Sequence, residues 1–402
     1  MERIQWVKNT MPASEDLNTC AMNVKESEGV REFHKSFPQY QETPLTELPR
    51  MAEHLGLGRL FIKDESYRFG LNAFKVLGGS YAIAKFIAKE TGKQVSDLPY
   101  DILTSKELRD EFGQATFFTA TDGNHGRGVA WAANKLGQKS VVFMPKGSTE
   151  TRKQNIAAEG ATVTIEEMNY DDCVRLATAE SKKVDHGVVI QDTAWDGYEE
   201  IPTWIMQGYG TMALEATEQL EKAGVDVPTH VIVQAGVGSL AGAVTGYVVN
   251  RYKDAPVKPK IVVVEASAAD CLYKGAKAGD GDLRIVGGDL QTIMAGLACG
   301  EPNTISWDIL KNHVDVFVSA PDWVASLGMR MSAAPIKGDA SIISGESGAV
   351  PFGLVAAAMS MEEYKDLKEE LGLTKDSKVL CFSTEGDTDP TRYQEIVWQG
   401  KF

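Results

Sequence analysis

The stretch Val231-Ile232-Val233-Gln234-Ala235-Gly236-Val237-Gly238-Ser239-Leu240-Ala241-Gly242 reads as a short apolar strand, a turn of small residues and the opening of a helix. A β-branched run with no polar alternation is a strand buried on both faces, which belongs in a parallel sheet covered by helices. The glycines let backbone N–H groups close round an anion at the positive end of the helix dipole. No Gly-Lys-Ser/Thr follows, which argues against an ATPase.

The same rhythm recurs on either side. Val141–Met144 precedes a polar helix over 150–159, Thr162–Ile165 precedes a helix over 170–183, and Val188–Gln191 precedes one over 202–222. Ile261–Val264 and Val379–Phe382 are further short buried strands. Strands alternating with helices predict an α/β protein. Two lobes are expected, each an open and mostly parallel sheet flanked by helices, with the functional cleft between them. Boundaries near residues 85 and 204 divide the chain into a large unit (1–85 with 205–402) and a small one (86–204).

Composition narrows the function. The 402 residues carry 41 Lys+Arg against 56 Asp+Glu, a net charge of −15. Phosphate backbones and anionic bilayers select clustered Lys and Arg, so neither nucleic acid nor a membrane is expected as partner. No apolar run reaches the length of a bilayer span, and the first 16 residues lack the apolar core of a secretory leader. The five cysteines (Cys20, Cys173, Cys271, Cys299, Cys381) form no CxxC pair and point to a reducing, cytoplasmic setting. Cys271 and Cys299 are the least separated pair. The six histidines form no HExxH, so no metal is expected.

Two further segments carry chemistry. Arg68-Phe69-Gly70-Leu71-Asn72-Ala73-Phe74-Lys75-Val76-Leu77-Gly78-Gly79 sets a lysine after an aromatic residue and ahead of an apolar helix. Thr119-Ala120-Thr121-Asp122-Gly123-Asn124-His125-Gly126-Arg127-Gly128 follows the strand residues Phe117 and Phe118 and precedes a helix expected over 129–135. Such a turn suits an anionic ligand. Its plainer reading is a βα loop in which Asp122 and Asn124 cap the helix.

Lysine, Asn-bearing loop and Gly-rich loop, in that order, resemble the fold-type II pyridoxal-phosphate enzymes, the tryptophan-synthase-β and threonine-dehydratase superfamily. The likeness runs over about 40–390. Phe61-Ile62-Lys63-Asp64-Glu65-Ser66, Ala120–Arg127, Gln191-Asp192-Thr193-Ala194-Trp195, Ile293-Met294-Ala295-Gly296-Leu297 and Ser383-Thr384-Glu385-Gly386-Asp387-Thr388-Asp389 are similar to the diaminopropionate ammonia-lyase family in particular. Most superfamily members have serine where this chain has Asp122.

The resemblance implies pyridoxal 5'-phosphate in the cleft, joined to Lys75 as a Schiff base. A lysine amine with its ordinary pKa of about 10.4 must be deprotonated to react, and a desolvated site beside other cations is expected to lower that value. Main-chain N–H groups of Gly236, Val237, Gly238 and Ser239 would hold the phosphate. The family pattern has glycines where this chain has Val237 and Ser239. Asn124 would meet the phenolic oxygen, and Ser383 or Thr384 the pyridine nitrogen. The implied reaction is α,β-elimination of 2,3-diaminopropionate, of both D and L configuration, to pyruvate and two ammonia. Lys75 would take the Cα proton of the L-isomer. Asp122 would take that of the D-isomer or meet the β-ammonium. Asp192 is a second acidic candidate, orienting the amine or sharing the base role. Glu346 is read as a helix cap, and Trp195 and Tyr198 as pocket or core. A homodimer is implied as well.

Alternatives remain on the residues alone. A serine/threonine dehydratase or a β-replacement synthase would use the same fold. A nucleotide-dependent oxidoreductase would use Gly236–Gly242 as a dinucleotide loop with Glu265 on the ribose, but its third glycine falls one residue late and Lys75 and Asn124 go unused. A non-catalytic amino-acid sensor would not need Lys75.

Overall fold

The computed structural model describes residues 2–12 and 14–402. Its strands are β1 (Gln5–Lys8), β2 (Leu45–Glu47), β3 (Arg59–Asp64), β4 (Thr116–Ala120), β5 (Lys139–Met144), β6 (Thr162–Ile165), β7 (Gly187–Val189), β8 (His230–Gln234), β9 (Lys260–Ala266), β10 (Val316–Ala320) and β11 (Lys378–Ser383). They form a seven-stranded sheet ordered β1-β10-β9-β8-β11-β3-β2 and a four-stranded sheet ordered β6-β5-β4-β7. The chain is therefore an α/β fold of two mostly parallel sheets flanked by helices, as the sequence predicts.

The strands legible in the sequence are the buried parallel ones. Every residue of β8 and β10 is buried, and β9 is buried from Ile261 on. The departures lie at the edges of the large sheet, where β1 pairs antiparallel with β10 and β2 antiparallel with β3. These edge strands are three or four residues long and partly exposed. They carry no apolar run to announce them.

Beside β3 sits a buried ion network. Lys63 Nζ donates to Glu215 Oε2 at 2.8 Å, and Arg68 donates to Glu65 at 2.8 Å and to Glu215 at 2.7 Å, all with fully buried side chains. Glu215 lies in the long helix Glu200–Lys222. The Phe61–Ser66 motif is thereby bound to the middle of the chain, at the cost of desolvating charges that each other and neighbours such as Thr43 and Gln219 offset.

The segments of interest all leave the carboxyl ends of parallel strands: 121–124 after β4, Asp192 after β7, 236–239 after β8 and Thr384-Glu385 after β11. Open parallel sheets present ligand sites at this edge. Lys75 joins them at the start of the helix Val76–Glu90, and the Phe74 N–H donates to the Thr384 carbonyl at 3.1 Å.

Candidate active site

One cavity is lined by Lys75, Asn124, Asp192, the loop 236–239, Thr384 and Glu385, with Tyr170, Tyr209, Gln234 and Cys299 among its other walls. A second cavity, lined by Asp122, Arg152, Glu346 and Asp389, shares Tyr170 with the first.

Lys75 Nζ donates to Asp192 Oδ2 at 2.8 Å, and their side chains are 15% and 4% exposed. Burial alone would lower the lysine's pKa. The Asp192 carboxylate, with Tyr209 and Asp122 beyond it, reverses that and holds the ammonium well above its ordinary value. The expected lowering by neighbouring cations is thus corrected, because the nearest charge is an anion. Burial would raise Asp192, yet the Lys75 ammonium and the Tyr170 hydroxyl hold it far below the usual carboxylate range. Its Oδ1 accepts from the Tyr170 hydroxyl and from Gln191 Nε2, each at 3.1 Å. His125 Nε2 lies 2.8 Å from the Ile190 carbonyl. A carbonyl only accepts, so Nε2 carries the proton and Nδ1 is bare. Burial lowers the His125 pKa and keeps the ring neutral. Nδ1 lies 3.8 Å from Asp192 Oδ2 and has no hydrogen-bond partner.

The helix after β4 begins at Asn124, five residues before the expected 129. Thr121 makes the early start possible: its Oγ1 accepts from Gly123 N–H at 2.9 Å and Gly126 N–H at 3.0 Å. The capping assigned to Asp122 and Asn124 is thus done by Thr121. Both side chains are free for the cavities. Asn124 Nδ2 donates to Glu385 Oε2, and Glu385 Oε1 accepts from Ser347 N–H at 3.0 Å. Glu385, not Glu346, therefore serves the start of the helix Glu346–Ser360. The Glu346 carboxylate turns instead to Arg152 Nη2, 3.8 Å away.

The loop 236–239 opens the helix Ser239–Arg251, whose first N–H groups have no partner within the helix. Gly238 has φ +103°, a conformation in which a side chain is strained. Ser239 Oγ donates to the Asp192 carbonyl and accepts from Asn303 Nδ2 at 2.8 Å. The departure from glycine at 239 thus tethers the loop to the backbone of Asp192. At β11 the two hydroxyls part company. Thr384 lines the cavity and accepts from Gln234 Nε2 at 2.7 Å, whereas Ser383 Oγ donates to Ser344 Oγ at 2.7 Å. Gln234 Oε1 is buried without a partner.

Some residues stand apart from the cofactor cavity. Trp195 and Tyr198 stack at 4.3 Å, and the Tyr198 hydroxyl donates to the Val189 carbonyl and accepts from Gln191 N–H. They brace the segment that carries Asp192. All five cysteine thiols are free, and Cys271 Sγ lies 3.7 Å from Glu265 Oε1. Tyr170, Tyr209, Gln234, Cys299 and Arg152 went unnoticed in the sequence as site residues: Gln234 reads as the last residue of a buried strand, and the others stand in segments with no motif of their own.

The donor set fits a phosphorylated pyridine aldehyde. A primary amine, an amide, a hydroxyl and a helix N-terminus face one cavity, and Gln234 Oε1 remains orphaned beside them. Residues 37–384 match the family model described as "Pyridoxal-phosphate dependent enzyme". The chain is 53% identical over 372 residues to the diaminopropionate ammonia-lyase of Salmonella typhimurium, covering 92% of this chain and 91% of that one. The structure of the Escherichia coli diaminopropionate ammonia lyase in complex with D-serine superposes with TM-score 0.92 at 46% identity, covering 99% of this chain and 98% of that one. The same E. coli enzyme with an aminoacrylate-PLP azomethine reaction intermediate superposes with TM-score 0.89 at 45% identity, covering 99% and 98%. A cavity built round Lys75, Asn124 and a glycine cradle, within a chain matched along nearly its whole length, leaves one assignment: the chain belongs to the pyridoxal-phosphate dependent enzymes.

Proposed function

We propose that this chain is an ammonia-lyase that eliminates the β-amine of 2,3-diaminopropionate, of either configuration, giving pyruvate and two ammonia with the uptake of one water. The observation that carries the reading is the placing of two unlike bases in adjoining cavities. The Lys75 amine stands on Asp192 in the first cavity, and the Asp122 carboxylate borders the second, beyond their shared wall at Tyr170. The ammonia-lyase of S. typhimurium, at 53% identity, supports the choice of substrate.

Pyridoxal phosphate, when bound, supplies a ring that takes up negative charge from the substrate Cα. The protein supplies the rest. Lys75 would hold the group through Nζ, the N–H groups of Gly236, Val237, Gly238 and Ser239 would carry its phosphate, and Asn124 and Thr384 would meet its ring. Ser383, with its hydroxyl on Ser344, has the weaker claim. A hydroxyl beside the ring nitrogen leaves that nitrogen neutral, which suits a reaction that discharges carbanion charge quickly through a leaving group. Lys75 Nζ takes the Cα proton of the L-isomer, and Asp192 fixes where that amine points. Asp122 takes the Cα proton of the D-isomer. In the same pose Asp122 offers the β-ammonium of the D-isomer a charge-assisted hydrogen bond. The β-amine then departs as ammonia.

The proposal includes the division into 1–85 with 205–402 and 86–204, which the two separate sheets support. It also includes a cytoplasmic homodimer, carried over from the superfamily likeness and checked by sedimentation. The deciding experiment is a side-by-side assay of D- and L-diaminopropionate, serine and threonine, reading pyruvate or 2-oxobutyrate and ammonia. Both diaminopropionate isomers should react fastest, with two ammonia per pyruvate. Faster turnover of serine or threonine would make the chain a dehydratase. Borohydride reduction of the holoenzyme and peptide mapping should place the pyridoxyl label on Lys75.

A further inference from the structure

Arg152 occupies an electrostatically adverse place. It lies in the first turn of the helix Glu150–Ala158, three residues after the capping Thr149. The unpaired N–H groups of a first turn already carry positive charge, so a cation there is disfavoured. Arg152 is also only 8% exposed, and a buried guanidinium costs several kcal/mol unless carboxylates meet it. Burial would lower its pKa. Glu346, Asp122, Glu385 and Asp389 together reverse that and hold the guanidinium above its ordinary value.

The contacts say what the cation does. Nη1 donates to Asp122 Oδ2 at 3.4 Å, and Nη2 faces Glu346 Oε2 at 3.8 Å. Its stem lies against Gly123, where an added Cβ would come 3.3 Å from Arg152 Cδ. Among the described residues, the Asp122 carboxylate takes no other side-chain hydrogen bond. Arg152 Nε and Glu346 Oε1 are buried and unpartnered, so neither side chain is held at full strength by the other. Lys75 has a separate anchor in Asp192. The two bases are thus aimed by different residues on different elements.

We propose that Arg152 is the positioning residue for Asp122, and through it decides how well the D-isomer reacts. This rests on the reading that Asp122 takes the D-isomer's Cα proton. A general base must be held within hydrogen-bond reach of the proton it takes, to about 0.5 Å. Without Arg152 the carboxylate is free to turn about χ1, whereas the Lys75–Asp192 pair is untouched.

The test compares kcat/KM for D- and L-diaminopropionate in the holoenzymes of Asp122→Asn, Arg152→Gln, Arg152→Lys and the double variant Asp122→Asn/Arg152→Gln. Arg152→Gln should lower the D-isomer value about 30-fold and the L-isomer value by about threefold or less, on the scale set by a misplaced general base. Arg152→Lys keeps a cation in place and should restore part of the D-isomer loss. The double variant should be no slower on the D-isomer than Asp122→Asn alone. The dissociation constant for pyridoxal phosphate, read by absorbance, should be the same in all variants. If Asp122→Asn loses both isomers equally, the reading of Asp122 fails and the proposal with it. If Asp122→Asn is selective for D but both Arg152 variants lose D and L equally, or lose neither, the base assignment stands and the role of Arg152 is overturned.

Discussion

Lys75 Nζ and Asp192 Oδ2 stand 2.8 Å apart where the first of two helical glycines, Gly78, packs the lysine-bearing helix against Ile205 and Tyr209. The pair fixes the amine and sets its charge. Lys75 has a raised pKa in the fold, so its stabilising share is present below the unfolded value of about 10.4 and is lost as pH rises through the folded value. Asp192 has a lowered pKa, so its share is present above about 3.9 and is lost as pH falls. The apoprotein should therefore keep this contribution between about pH 4 and pH 10. Asp192→Asn leaves a buried ammonium unpaired and should cost about 3 kcal/mol of stability. Denaturant melts of the two apoproteins at pH 7 check this, and equal midpoints would refute it.

The two hydroxyls at the end of β11 should behave differently when removed. Thr384→Val keeps the shape but strips the cavity of its hydroxyl and takes from Gln234 Nε2 its 2.7 Å partner. A buried donor left short of a partner costs about 1–3 kcal/mol. We expect a shift in cofactor absorbance and a loss of turnover of about tenfold, which is about 1.4 kcal/mol in the barrier. Ser383→Ala, which loses the bonds to the Ser344 hydroxyl and the Glu385 carbonyl, should leave the spectrum in place. A spectral shift in Ser383→Ala and none in Thr384→Val would exchange their assignments.

Glu265, unlike the active-site pair, makes stability depend on pH between about 4.5 and 8. It is buried at the end of β9, where it accepts from Leu272 N–H at 2.9 Å and Tyr273 N–H at 2.6 Å. Burial outweighs these two bonds and raises its pKa from the ordinary 4.5 to about 8. The folded state then holds a proton that the unfolded chain has released. Stability must fall as pH rises from about 4.5 to about 8. Glu265→Gln should flatten that part of the profile, seen as a smaller change in Tm of the apoprotein between pH 5 and pH 8.5. An unchanged slope would show that other groups set it.

The reach of the sequence follows the physics of each feature. The turn Gly236–Ser239 and the run Thr121–His125 were legible because strand, turn and helix lie next to one another along the chain. Lys75 was legible from its neighbours Phe74 and Gly78-Gly79 combined with those two loops. Arg152 was not. Its surroundings, Glu150-Thr151-Arg152-Lys153, read as a polar helix, and only the packing of that helix against Gly123, Asp122 and Glu346 buries it. The exchange of caps escaped for the same reason. Glu346 looks like the natural cap of its own helix, but Glu385 reaches the Ser347 N–H from a different strand end. Edge strands β1 and β2 carry too few apolar residues to show a period.

Gly128 offers a test of how the lysine is aimed. The helices Asn124–Lys135 and Val76–Glu90 cross where a Cβ at Gly128 would stand 2.8 Å from both Val76 Cα and Val76 N, and 3.1 Å from the Lys75 carbonyl carbon. All three are backbone atoms, so no rotamer change relieves the clash. Gly128→Ala must push the two helices apart or bend one, at about 1–3 kcal/mol for overpacking. The displaced element begins with Lys75, so the amine moves off Asp192. The variant should bind pyridoxal phosphate more weakly and should lose kcat with both isomers, because Lys75 must carry the cofactor whichever base acts. Gly224→Ala, at a position with no atom within 4 Å but with φ +80°, supplies the control. It strains a turn by a comparable amount without moving Lys75. Thermal melts should show both variants destabilised, and cofactor titration should show only Gly128→Ala weakened. Equal cofactor affinity in the two would mean that the helix crossing does not set the position of the lysine.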